Sequence, residues 1–269
     1  MRYAIAIWNY CWNAEQLVGA VNDFANAGFD TISFHPDQFA GAGADQLPAV
    51  IETLRRRALN ATVHGSVAME PRVMATLAGA FGETLRVFSM DSALCQDSRG
   101  TLHDARRIAA ALTHLQELTH GTDVWIAVED FPLDSTALEF FAGELQGVYH
   151  HPRTGILVDV GHMHMRMRSA GSFAGMSVAD YFSRLPVPLV EVHLHDNNGE
   201  RDQHGHFGYG SVPFGEIAAA LRAQRFDGIS TIEVAPALHN RPPHESKPDA
   251  LASLTQWRQF MGVRHRLAT

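Results

Sequence analysis

Cysteine is nearly absent from this chain: Cys11 and Cys95 are the only two in 269 residues, far apart and in no CxxC pair. That count excludes a thiolate zinc site and fits a reducing compartment. Lysine is scarcer still. Lys247 stands alone against twenty arginines, and the formal net charge is −8. The longest basic run, Arg55-Arg56-Arg57, falls inside a helical pattern, so the basic stripe of a nucleic-acid binder is missing. No apolar run approaches the ~18 residues that cross a bilayer. The first residues lack the long apolar core and small-residue cleavage site of a signal peptide. These absences lead to the expectation of a cytoplasmic protein with neither membrane nor nucleic acid as partner.

Histidine, by contrast, is abundant, with sixteen in the chain. Histidine is the commonest metal ligand and titrates near neutral pH, so its placement carries information. Short β-branched runs at residues 3–8, 31–34, 61–64, 85–88, 124–129, 155–159, 189–193 and 230–233 alternate with helical patterns, at the spacing of βα units. Asn13 and Gln16 stand at the spacing of a capping box, Pro71 suits a first helical position, and Ser177 with Asp180 resembles another cap. Gly28 and Gly228 follow helical patterns where a left-handed cap would sit. Residues 40–46 and 166–176 read as longer βα loops, and Met163, Met165 and Met167 as one face of an extended segment. The last helix is expected to end near Val263, with residues 265–269 frayed. Eight units and no linker predict one domain over residues 1–269, an α/β fold of the (β/α)8 TIM barrel type. A doubly wound open sheet is the alternative.

Polar residues collect where these strands end: His35 and Asp37, His64, Glu129, Asp159 and His162, then His193, His195 and Asp196, and finally Glu233. In a barrel those ends converge on one mouth, where active sites of this fold lie. Taken singly, a strand-end carboxylate is more often a helix cap. Taken together, Glu129, Asp159 and Glu233 would crowd three negative charges into a partly dry space without a nearby lysine. A divalent cation with His193 completing its shell resolves that conflict. Carboxylates mixed with imidazoles suit Mn²⁺, Zn²⁺, Co²⁺ or Fe²⁺ better than Ca²⁺. Asp202 and His204, two residues apart, can join His162 around another ion. His103, His114, His120, His150, His151 and His239 lie away from the strand ends and read as surface residues.

The segments VEDFP, VDVGH, HLHDNNG, RDQHGHFGYG and IEVAP, in this order, resemble the xylose isomerase-like TIM-barrel superfamily, which includes sugar-phosphate isomerases and epimerases and the endonuclease IV family. The resemblance implies a central metal on Glu129, Asp159, His193 and Glu233. It further implies that His64, His162, Asp202 and His204 occupy ligand positions of three-metal members, for one to three ions in all. Those members carry a histidine after strand four; here Ser89, Met90 and Asp91 stand there, with Asp91 as a candidate substitute. The implied activity is isomerisation or epimerisation of a small sugar or related polyhydroxy carbonyl compound. Glu129 and Glu233 would exchange a proton through an enediolate. His64, His162, Arg201, His35 and Trp8 would contact substrate, with Trp12 and Phe34 as further candidate lining. The alternative is metal-dependent phosphodiester hydrolysis. A carbohydrate-like small molecule is the expected partner, and a homodimer stays open.

Overall fold

The computed structural model describes residues 1–95, 104–129, 151–169 and 173–263. Its strands are β1 (Arg2–Ala6), β2 (Thr31–Phe34), β3 (Asn60–Ser66), β4 (Leu85–Asp91), β5 (Trp125–Glu129), β6 (Thr154–Asp159), β7 (Leu189–Leu194) and β8 (Ile229–Ile232). Each pairs in parallel with the next, and β8 pairs with β1, so the sheet closes into a barrel and the open-sheet alternative falls away. Eight α-helices among the described residues surround it: α1 (Ala14–Asn26), α2 (Leu47–Arg56), α3 (Pro71–Phe81), α4 (Ala105–Leu118), α5 (Val160–Arg168), α6 (Val178–Ser183), α7 (Phe214–Ala223) and α8 (Pro243–Phe260).

Local chemistry sets the ends of these elements. Asn13 caps α1, although its side chain accepts from the Glu15 N–H at 2.9 Å rather than entering a box with Gln16. Pro71 is the first residue of α3, and the Ser177 hydroxyl accepts from the Asp180 N–H at 3.1 Å. Gly28 holds the left-handed turn after α1, with φ at 99°. Gly228 does not play that part after α7; Arg225 does, with φ at 56°. Gly228 is required for closeness instead, because a Cβ there would stand 2.3 Å from the Val190 carbonyl oxygen. Strand one is shorter than expected, since residues 7–9 form a 3-10 turn. Residues 41–46 are likewise 3-10 rather than loop, and α8 stops at Phe260. The methionine-rich segment is helix α5, not an extended loop. Asp159 accepts from the His162 N–H at 2.8 Å and starts a helix that winds the alternating residues around its axis. His103, His150 and residues 265–269 lie outside the described residues.

Strand alternation divides the interior. Outward residues pack beneath the helices; Phe34 contacts Phe39 and Phe81 with ring centroids 5.6 and 5.3 Å apart, and so does not line the mouth. Inside, the end at which the strands begin is closed by an apolar cluster of Ala4, Val87, Ala127, Leu157, Val190 and Ile229. A polar layer follows, in which the Thr62 and Ser33 hydroxyls bond at 2.6 Å and Thr231 donates to Glu191 at 2.6 Å. The ionisable residues come last, at the mouth. No helix among the described residues is long and apolar enough to cross a membrane.

Candidate metal centre at the barrel mouth

Strand register assembles the central group. Asp159 aligns with His193 across β6 and β7, Glu129 ends β5, and Glu233 follows β8 directly. All four are buried. His193 Nδ1 stands 2.9 Å from Glu233 Oε2 and 4.0 Å from Glu129 Oε1. His64 Nε2 lies 3.1 Å from the other Glu129 oxygen, while its Nδ1 meets the Ser89 hydroxyl at 2.9 Å. Three sets of three among the described residues, His64/Glu129/His193, Glu129/Asp159/His162 and Asp159/His193/Glu233, each place one possible ligand atom per residue within 4.8 Å of the others.

A second group lies beside the first. His162, on the first turn of α5, reaches Asp202 at 3.2 Å, and His204 Nε2 meets the same carboxylate at 3.1 Å. His204 is held at a positive φ of 45° and its ring stacks on His195 at 3.8 Å. Together His162, His195, Asp202 and His204 form a further set of possible ligands. Asp159 joins the two groups: while capping α5 it also meets His195 Nε2 at 2.9 Å. The plain reading of a strand-end aspartate as a cap therefore holds for Asp159, and the same carboxylate also belongs to two of the possible ligand sets.

Imidazoles and carboxylates of the cluster shift one another towards their charged forms. Burial alone would lower the His193 pKa, but Glu233 and Glu191 more than offset it and hold the ring well above its usual range. His204, also opposed by burial, is raised to about 9 by Glu233, Asp202 and Asp159. Burial would raise the carboxyls. Instead His162 and His195 hold Asp159 well below the carboxylate range, and His193 and His204 bring Glu233 down to about 2. This compensation is incomplete in geometry: both ring nitrogens of His193 and Glu233 Oε2 are buried without a hydrogen bond. Buried polar atoms are normally satisfied, so His193 Nδ1 and Glu233 Oε2, which face each other at the mouth without hydrogen-bond geometry, fit a cation bound by both. The donor set of two glutamates, one aspartate and one imidazole suits a divalent transition metal.

The remaining candidates occupy varied places. Trp8 is buried and stacks on His64 at 5.9 Å. His35 is half-buried between Trp8 and the exposed Trp12 at the rim, its Nδ1 accepting from the Asp37 N–H. Arg201 is exposed on the loop that carries Asp202, tied there by its own N–H to Asn198. Asp91 does not stand in for the missing strand-four histidine. Its Oδ1 turns to the Ala93 N–H, and it belongs to none of the ligand sets among the described residues. Asp196 is structural: its carboxylate accepts from the N–H groups of Asn197, Gly208, Gly210 and Val212 and shapes the loop that presents Asp202 and His204. His114, His151 and His239 are half-buried and His120 exposed, all apart from the mouth.

Two members of the site have no role assigned from sequence, His195 and Glu191. Both carry a usable signal, since they stand two residues either side of His193 in LVEVHLH and so share its face.

Known proteins supply an independent comparison. The pattern of the xylose isomerase-like TIM barrel family matches residues 21–257. Among curated proteins, MJ1311 of Methanocaldococcus jannaschii is 33% identical over 79 residues, covering 29% of this chain and 25% of that protein. The chain thus spans about a quarter of that relative's length. A D-tagatose 3-epimerase-like protein superposes over the whole of both chains with a TM-score of 0.67 and 18% identity. D-psicose 3-epimerase of Clostridium cellulolyticum H10, solved with D-tagatose, gives a TM-score of 0.65 and 15% identity over 97% of this chain and 99% of its own. The TTHB071 protein of Thermus thermophilus, soaked with ZnCl₂, gives 0.64 and 18% over 98% and 100%. At these identities the structures share the fold. The match of the family pattern over most of the chain, joined to the closed barrel, shows that this chain belongs to the xylose isomerase-like TIM barrel family.

Proposed function

We propose that this protein is a metal-dependent isomerase or epimerase of a small sugar or related polyhydroxy carbonyl compound. One observation carries the reading: Glu233 and Glu129 approach the same His193 nitrogen, at 2.9 and 4.0 Å, from strands on nearly opposite sides of the mouth. A divalent ion on Glu129, Asp159, His193 and Glu233 would supply Lewis-acid polarisation of the substrate carbonyl and its neighbouring hydroxyl. Glu233 removes the proton from the carbon beside that carbonyl, and Glu129 returns one from the other face, so the substrate passes through an enediolate. His64, 3.1 Å from Glu129 Oε2, steadies that carboxylate. Trp8 forms an apolar wall against His64 and His193 that keeps water from the reacting carbon. His162 and Arg201 bind substrate oxygens from the loop side. Sugar epimerases of the same fold support this substrate class.

The test is solvent deuterium exchange. Incubated with Mn²⁺ in D₂O, the protein should place deuterium on the α-carbon of a ketose or its phosphate, read by NMR. Failure to label any member of a broad ketose, inositol and hydroxy-ketoacid panel, with cleavage of abasic DNA instead, overturns the proposal. The His162/His195/Asp202/His204 group favours that second reading, a phosphodiesterase with clustered ions. Elemental analysis separates them: one ion per chain supports the isomerase, two or three the hydrolase.

A further inference from the structure

Beneath the central group lies a carboxylate that the proton transfer does not use. Glu191 sits in β7 two residues before His193, so alternation turns both side chains into the barrel. It is wholly buried. Its Oε1 accepts from the Thr231 hydroxyl at 2.6 Å, and Thr231 is the register partner of His193 on β8. Its Oε2 has no hydrogen bond. The His193 ring therefore has carboxylates on both sides. Nδ1 faces Glu233 and Glu129 at the mouth, while Nε2 faces Glu191 Oε1 at 3.6 Å in the layer below. Its register partners on the neighbouring strands, Leu157 on β6 and Ile229 on β8, both belong to the apolar cluster, so an apolar residue would fill this place readily. A buried carboxylate with an unsatisfied oxygen is costly there, so its presence calls for a partner that benefits from it.

From this placement we infer that Glu191 is the positioning residue for His193. Nε2 stands 3.6 Å from Glu191 Oε1, just beyond hydrogen-bond reach. A small turn of the ring closes that gap, and the carboxylate then accepts the Nε2–H, which assigns the proton to that nitrogen and leaves the Nδ1 lone pair directed at the space between Glu129, Asp159 and Glu233. Thr231 holds the carboxylate in line with the ring. Histidine ligands commonly donate their second nitrogen to a carboxylate in this way, and the contact fixes ring orientation and raises ligand basicity. The inference rests on the metal-centred reading above and adds to it a residue that touches neither ion nor substrate. A purely structural Glu191, serving only Thr231, would leave the ligand nitrogen of His193 indifferent to its replacement.

Two variants and two readouts test it. Mn²⁺ affinity is measured by competition with a fluorescent chelator for wild type, Glu191→Gln and Glu191→Leu. The His193 Nε2–H resonance is followed by ¹⁵N NMR in the Zn²⁺-loaded forms. Expected is a Kd weakened by about 10- to 100-fold in Glu191→Leu and by less in Glu191→Gln. The Nε2–H signal should shift upfield in both, and metal-free Glu191→Leu should melt no lower than wild type. Glu191→Gln keeps the shape of the side chain, so the comparison survives if the leucine variant misfolds. Affinities within about twofold of wild type and an unmoved Nε2–H overturn the inference while leaving the functional reading in place. A wild type that binds neither ion overturns the functional reading itself, and the inference with it.

Discussion

The two ends of the barrel are built from the same eight strands and filled with opposite chemistry. Where the strands begin, Ala4, Val87, Ala127, Leu157 and Ile229 close the interior with apolar contacts. Where they end, Asp159, Glu129, His193 and Glu233 crowd charge into a buried space. On β6 the contrast is two residues wide, Leu157 against Asp159. The lower end resembles an ordinary core, in which every group stabilises the fold by leaving water. The upper end would destabilise the fold if its groups were not paired, and it is tolerated because imidazoles and carboxylates neutralise one another. Stability and chemistry are thus separated along the strands, and substitutions at the two ends should separate in the same way.

The largest effect is expected at the mouth. Glu233→Gln should lower turnover by about a thousandfold, equivalent to about 4 kcal/mol of barrel-mouth catalysis, while circular dichroism keeps the wild-type spectrum. Wild-type turnover in this variant removes the proton-transfer role. Leu157→Ala should do the reverse. It should cost about 3 kcal/mol in urea denaturation and leave Mn²⁺ affinity within a few-fold of wild type. If metal binding collapsed along with stability, the two ends would be coupled and the division would fail.

A smaller change probes the seam between the groups. A Cβ at Gly161 would stand 2.1 Å from the His195 ring, so Gly161→Ala should displace His195 from Asp159. We expect a stability loss of about 1–3 kcal/mol and disruption of the second ligand group, read as a reduced metal-to-protein ratio whenever more than one ion binds. The pH dependence is the mildest test. Raised imidazoles contribute stability that is complete below their unfolded value of 6.5 and lost as pH climbs through the folded value, about 9 for His204. Lowered carboxyls contribute stability that is present above 4.5 and lost as pH falls towards about 2 for Glu233. The metal-free protein should therefore melt highest between about pH 4.5 and 6.5 and lose Tm steadily to about pH 9. The metal-loaded protein, whose imidazoles must be neutral, should lose less over the alkaline half of that range. Parallel alkaline profiles would show that the imidazoles are not ligands.

Much of this division is legible in the sequence, because strands are short-range patterns and a barrel fixes where their ends must meet. Each of the eight strand runs takes its place in the sheet, and the pairing of β8 with β1 decides for the closed barrel over the open sheet. The errors trace to period and to parity. The alternating methionines imitate a strand, and only the cap supplied by Asp159 reveals that α5 begins there. Phe34 resembles pocket lining because it ends a strand, yet its parity turns it to the helices. Asp91 has the right residue type and the right strand, but a local turn to Ala93 captures its carboxylate. His195 and Glu191 are obscured for another reason. Their importance depends on which ring nitrogen faces which oxygen, and no spacing rule specifies that.

The central claim is that Glu129, Asp159, His193 and Glu233 enclose a divalent cation. Its most direct test is an anomalous difference map from a crystal grown with Mn²⁺ and collected at the manganese edge. The account predicts a peak within about 2.5 Å of a carboxylate oxygen from each acidic residue and of His193 Nδ1. A map without a peak at that position, with the four side chains turned apart around ordered water, would contradict it.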